Sequence, residues 1–240
     1  VTAPGPERLF RALDATWQPA RFVPAGPWTL REGRGGGQRV SAATVAKQVA
    51  ERDLGFAEQG MRELNQRPLF MVRSTDAALD SWLQARGYEV VDPVTIYAAP
   101  VAELARQLPL TAATPSWPPL AVQAEIWEAA GIGPARLEVM ARAAEKVTLL
   151  GRTGDLPAGT AFVAADGDVG MLHALEVDPA ARRRGVGAAL MAAAANWLAG
   201  RRSDWIAVAV TDANAAANAL YRRLGMVPAT HYHYRRAPEP

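Results

Sequence analysis

Residues 177–190 read VDPAARRRGVGAAL, with three consecutive arginines set directly before a Gly-x-Gly that opens an alanine-rich run. Arginines crowd the unfavourable end of a helix there, because the first turn carries partial positive charge and favours anions. A bound anion reverses that penalty. Glycines at 185 and 187 put no Cβ between the backbone amides and a ligand, so the free N–H groups of a first helical turn can reach phosphate oxygens.

The segments around this stretch alternate. Residues 146–153, 159–167 and 169–177 read as three strands, the last two joined at an Asp166-Gly167 turn. A helix to about Ala199, a strand at 205–211, a helix ending at Gly225 and a strand at 230–236 follow. Two short helices broken at GIGP (131–134) come first, giving the order α-α-β-β-β-α-β-α-β. Four prolines between 106 and 119 break all periodicity and read as a linker. The predicted fold is α/β, in its α+β form, with a mixed sheet in each half of the chain.

The N-terminal half echoes its counterpart. FMVRSTDAALDSWLQARGY (70–88) lies on VAVTDANAAANALYRRLGM (208–226) without a gap, each a strand, a helix and a helix-ending glycine. Leu83 then stands at the place of Tyr221 and Asp76 at that of Asn214. The glycine cluster REGRGGGQRV (31–40) precedes no helix, so its N–H groups would not converge on a phosphate; it reads as a flexible hairpin tip.

Bulk properties narrow the function classes. At 240 residues the chain suits two small domains, and its net charge of +2 is no nucleic-acid footprint. Without cysteine there is no disulfide, thiolate metal site or thiol nucleophile. No signal peptide or membrane-spanning run is read, so a cytoplasmic protein with no membrane partner is expected. His231 and His233 share a strand face but lack a third ligand, so no metal is expected.

Three phosphate-binding patterns compete for 177–190. A Walker A loop needs Lys and a hydroxyl, and neither is present. A dinucleotide fingerprint would put Leu190 at its third glycine, and seven residues separate Val177 from Gly185 where its turn should be tight. A diphosphate on the helix start, with a linear ligand along the preceding strand, fits better. At this point the residues resemble a family. Arg182, Gly185 and Gly187 fill Arg/Gln-x-x-Gly-x-Gly/Ala, the acyl-CoA signature of the GNAT superfamily of N-acetyltransferases. Asn214, Ala217, Leu220, Tyr221 and Gly225 match its second element, with Met226 replacing the usual aromatic residue. The resemblance covers about residues 120–236.

The resemblance implies a GNAT-like, mixed but mostly antiparallel sheet flanked by helices, in tandem with a second, smaller GNAT-like domain. Residues 1–105 would be the degenerate domain without an acyl-CoA motif, 106–119 the linker and 120–240 the catalytic domain. It also implies acetyl-CoA as co-substrate and attack of an amine on its thioester. The pyrophosphate would sit on Gly185, Val186, Gly187 and Ala188 amid Arg182, Arg183 and Arg184. Leu175 and Val177 would line the pantetheine, with a backbone N–H near Val177 as oxyanion donor. Tyr221 is then the candidate general acid. Asn214, two turns from Tyr221 on the same face, either meets the pantetheine or caps the helix.

The base stays open between Glu176, His173, a residue elsewhere and none. Strict alternation would put His173, Leu175 and Val177 on one face and Ala174 and Glu176 on the other, unless a bulge intervenes. Ile132 and Gly133 lie in the loop expected over the acceptor, a small-molecule primary amine. The protein is expected as a monomer or homodimer. A regulatory module that binds CoA without turnover remains the alternative. Protein N-terminal or lysine acetylation is a third reading, and the extra domain would tend to block the open cleft it needs.

Overall fold

The computed structural model describes residues 2–106 and 113–239. Helix α1 (Pro6–Thr16) begins on a proline, where no N–H is needed, and buries Leu9, Leu13 and Thr16 along one face. Strands β1 (Arg21–Ala25), β2 (Trp28–Glu32) and β3 (Thr44–Val45) form a three-stranded sheet. Helix α2 (Leu54–Glu63), strand β4 (Leu69–Arg73), helix α3 (Ala77–Ala85), strand β5 (Glu89–Pro100) and helix α4 (Val101–Arg106) follow.

The second half holds β6 (Ala113–Ser116), α5 (Ala121–Ala129), α6 (Pro134–Arg142), β7 (Glu145–Thr153), β8 (Leu156–Asp166) and β9 (Val169–Val177). It ends with α7 (Val186–Ala199), β10 (Trp205–Thr211), α8 (Ala215–Arg223) and β11 (Val227–Arg236). From α5 onward this is the order read from the sequence.

Eight strands make one sheet in the order β4-β11-β5-β10-β9-β8-β7-β6. Only β9 and β10 pair in parallel; the other neighbours are antiparallel. The fold is therefore α+β with a mixed, mostly antiparallel sheet, as expected, but the expected second domain is smaller than a full copy. The sheet belonging to the N-terminal half alone has three strands, while its β4 and β5 enter the large sheet. Exchanging β4 with β10 and β5 with β11 turns the run β4-β11-β5-β10 into its own reverse. The sequence echo is thus a local pseudo-twofold, with left-handed Gly87 (φ 76°) and Gly225 (φ 78°) ending its two helices.

The expected linker is partly a strand. Residues 107–112 lie outside the described residues, but Ala113–Ser116 pair with β7 at the sheet edge. An edge tolerates Pro115, whose missing N–H leaves no ladder bond unmade on its solvent side. The glycine cluster is likewise not a simple hairpin tip. Strands β2 and β3 pair only through Trp28–Val45 and Thr29–Thr44, and the intervening loop folds back on α6. A Cβ on Gly36 would press within 2.6 Å of Val139 Cγ2.

Both faces of the large sheet are covered. Helix α7 sinks Leu190, Met191, Ala194 and Leu198 into a core with Val163, Leu172 and Val208. Gly170 on β9 permits this approach, since any Cβ there would collide with Leu198. On the opposite face α1, α5 and α6 bury Leu13, Trp127 and Met140. Ion pairs fix α1 across the halves: Arg8 reaches Asp166 and Asp168 at the β8–β9 turn, and exposed Arg11 lies 4.0 Å from Asp166. Buried Arg31 grips Asp14 through two hydrogen bonds of 2.9 Å, tying the small sheet to α1.

Candidate active site

The sheet opens at its parallel pair. β9 and β10 pair from Val169–Trp205 to Leu172–Val208 and then part. Beyond Leu172, β9 keeps β8 on one side, but on the β10 side it has no strand partner among the described residues. That side is an edge without a strand partner, where an extended, amide-bearing ligand could pair, although Trp127 and Arg182 donate to the carbonyls of Ala174 and Val177 in this stretch.

A β-bulge makes the turn. Thr160 faces Glu176 and Phe162 faces His173, so Ala174 and Leu175 together oppose Ala161. Ala174 carries the strain with φ 48°, and Trp127 Nε1 donates to its carbonyl at 2.8 Å. Beyond the bulge the alternation is shifted. Leu175 and Val177 pack against the α7 core, as Leu172 does, while His173 packs with Trp17 and Phe162 on the other face. His173 and Glu176 therefore share the α1/α6 face, which strict alternation denied them.

The arginine–glycine segment leads into α7 through an ordered turn. Asp178 Oδ1 accepts from Ala180 N at 2.8 Å and caps a short 3-10 turn over Pro179–Ala181. Gly185 is left-handed (φ 83°) and stands as N-cap without a side-chain cap bond. The first-turn N–H groups of Val186, Gly187 and Ala188 thus lack intrahelical partners. Arg182, Arg183 and Arg184 are exposed, and none makes an ion pair among the described residues. Gly187 has a second use: a Cβ there would stand 3.0 Å from Leu220, which brings α8 against this helix start.

Tyr221 on α8 is buried, its ring 6.0 Å from that of Tyr97. Burial and then the nearby Glu176 charge push its phenol well above the ordinary range, so it keeps its proton. Tyr97 donates to Asn218 at 3.0 Å, and Asn218 donates to the Thr211 and Asn214 carbonyls, fixing α8 to the end of β10. Asn214 caps α8: its side chain accepts from Ala217 N at 3.0 Å.

Glu176 is partly buried. Desolvation raises its carboxyl above the usual range, and the guanidinium groups of Arg182 and Arg136 partly oppose the rise. His173 has no such freedom. Arg39 donates to its Nδ1 at 3.2 Å, so Nε2 carries the hydrogen and donates to Thr16 Oγ1 at 2.9 Å, which in turn donates to the Ala12 carbonyl. Burial, then the Arg39 charge, hold His173 well below its ordinary pKa. Both ring nitrogens are engaged, and the ring stays neutral.

A cavity of about 370 Å³ adjoins the bulge, lined by Trp17, Arg39, Ile132, Arg136, His173 and Tyr232 among others. Ile132 is among the lining residues, whereas Gly133 is the N-cap residue of α6 and is not. The wall made by Trp17 and residues 36–39 comes from the N-terminal half, and no local motif announced it. A second cavity, of about 390 Å³, holds His231 and His233; His233 Nε2 lies 2.8 Å from Asp80 Oδ1. Among the described residues no three His, Asp or Glu side chains gather as a metal site. No described helix is long and apolar enough to cross a membrane.

A parallel strand pair that parts beside a glycine-led helix start with unpaired arginines is an acyltransferase scaffold. The family comparison gives the same class: residues 103–226 match the acetyltransferase (GNAT) family, and the chain belongs to it. No curated protein matches the sequence. Among solved structures, a GCN5-related N-acetyltransferase from Kribbella flavida is similar over 99% of this chain and 98% of its own, with TM-score 0.73 and 22% identity. A functionally unknown conserved protein from Staphylococcus epidermidis follows at TM-score 0.68 and 10% identity, covering 94% and 97%. A tandem GNAT protein from the clavulanic acid biosynthesis pathway is similar at TM-score 0.60 and 13% identity, covering 83% and 76%. At these identities the likeness is one of fold.

Proposed function

We propose that the chain transfers an acetyl group from acetyl-CoA to the primary amine of a small molecule. One observation carries the reading: the open edge of β9 carries Glu176 near its end, close enough to the Tyr221 phenol for its charge to act on it, and both groups have raised pKa. The residues present fit acyl-CoA. Unpaired amides of Val186, Gly187 and Ala188, with Arg182, Arg183 and Arg184, would hold its diphosphate. Leu175 and Val177 would offer backbone groups to its pantetheine amides. When bound, acetyl-CoA supplies the activated acetyl thioester.

The chain's own groups then manage protons. Glu176 takes a proton from the acceptor's ammonium, since an amine with a pKa near ~10 is mostly protonated at neutral pH. Its raised pKa brings it closer to neutrality, where exchange is efficient. Tyr221 Oη delivers its retained proton to the departing sulfur. His173, neutral and doubly hydrogen-bonded, holds α1 and Arg39 against the bulge.

We read the N-terminal half as a degenerate GNAT-like unit whose present use is to wall the acceptor cavity. The pseudo-twofold and the lining by Trp17 and Arg39 support this. A cavity of about 370 Å³ is at the small end of small-molecule sites, about 300–1,000 Å³, and favours a small acceptor over a protein chain. The test is calorimetric titration with acetyl-CoA, followed by thiol release with an amine panel. Binding that Gly187→Trp abolishes, with amine-dependent release, is expected. Binding without release from any amine would instead make the protein a CoA-responsive module.

A further inference from the structure

The cavity beside the bulge is lined by hydrogen-bond donors that the described residues satisfy only in part. Arg39 makes no ion pair among the described residues, and beyond its bond to His173 its Nε is buried without a partner. The Tyr232 hydroxyl, on a residue lining the same cavity, is also buried and makes no hydrogen bond of ordinary geometry among the described residues, with Arg39 and the Tyr234 hydroxyl as its polar neighbours. Native interiors rarely leave such groups orphaned, and a ligand acceptor is one way they are satisfied. Arg136 lines the cavity as well, and none of its atoms is in an ion pair among the described residues. Left-handed Gly37 (φ 97°) lies beside the Arg136 guanidinium, which a Cβ there would meet at an ordinary contact distance of 3.5 Å.

The charges around the cavity are unequal. Two guanidinium groups line the cavity with one carboxylate, Asp92, which is exposed and in no ion pair among the described residues. Glu176, outside the lining, is near enough to Arg136 for their charges to interact, while Arg39 has no such carboxylate beside it among the described residues. His173 adds no charge, being buried and hydrogen-bonded at both nitrogens. Guanidinium is always charged and its planar fork matches a carboxylate through paired hydrogen bonds. We propose that the acceptor is an amine that also carries a carboxylate, an amino acid, seated by Arg39, Arg136 and the Tyr232 hydroxyl. The amine's fate rests on the acetyl-transfer reading above; the carboxylate site does not.

Matched pairs of amino acids and their carboxamides, with an aminoalkyl phosphate as a third arm, test it by thiol release from acetyl-CoA. Each acid is expected to exceed its amide about tenfold or more in kcat/KM, the scale of a lost charge-assisted hydrogen bond. Arg39→Gln should bring that ratio toward one through KM, the acid losing more than the amide. Arg136→Gln, on a half-buried helix position, should move the ratio the same way and guards against a misfolded Arg39 variant. Equal use of acid and amide, or a ratio both variants leave alone, overturns the carboxylate site but not the transferase. Preference for the phosphate overturns it too. If no amine is acetylated, N-acetylamino acids and their amides are titrated in the presence of CoA. Binding of the acids alone, lost in Arg39→Gln, supports the site; no such difference overturns it.

Discussion

Leu172 and Leu175, three residues apart on β9, pack into the same core beneath α7. A regular strand would send them to opposite faces. The bulge at Ala174 between them resets the alternation, and with it moves Glu176 onto the face of His173. The catalytic reading depends on that one extra residue.

Trp127 holds the bulge by donating to the Ala174 carbonyl. Trp127→Phe fills most of the space but leaves that carbonyl short of a donor, and should cost about 1–3 kcal/mol in denaturant unfolding. Turnover should fall while acetyl-CoA affinity stays near wild type. A variant as active as wild type would mean that the bulge needs no such tether.

Tyr221→Phe removes the proposed proton donor and little volume. It should lower kcat about 10²–10⁴-fold, the usual contribution of a positioned acid, with acetyl-CoA affinity nearly unchanged. Stopped-flow thiol release separates the two quantities. An unchanged kcat would reduce Tyr221 to packing against Tyr97.

Glu176 gives a pH dependence of defined sign. Its pKa is raised in the folded protein, so kcat/KM should fall as pH drops through a value above the ordinary carboxylate range, and Glu176→Gln should lose that limb. Stability moves the other way. A raised folded pKa adds stability that is fully present below the unfolded pKa of about 4.5 and is lost as pH rises through the folded value. Glu176→Gln should therefore melt higher than wild type at neutral pH and lose that advantage near pH ~4. The reverse order would refute the burial of this carboxylate.

Arg182, Arg183 and Arg184 are exposed and make no ion pair among the described residues, so replacing all three by Gln should leave the melting temperature within about a degree or two. Acetyl-CoA affinity should drop about tenfold or more, and its salt dependence should flatten. Affinity indifferent to the replacement would place the diphosphate elsewhere.

The C-terminal half was legible because its signals are local. Gly185, Gly187 and Tyr221 sit at fixed spacings on elements whose order follows from strand and helix periodicity. Asn214 was undecided in sequence, and the geometry gives it the capping bond. The face of Glu176 was not legible, since a bulge depends on Trp127, about fifty residues away, and leaves no trace in alternation. Arg39 was invisible for the same reason. Its position against His173 arises when β4 and β5 join the second half's sheet, which their own composition does not announce. Pro115 misled through its usual meaning, because an edge strand accepts it.

The most direct test of the central claim follows thiol release from acetyl-CoA together with formation of acetylated amine. The chain has no cysteine, so every thiol detected comes from CoA. The account predicts amine-dependent release, one acetylated amine per thiol, collapsing together in Tyr221→Phe. Release that ignores every amine, or acetyl-CoA binding with no release at all, would contradict it.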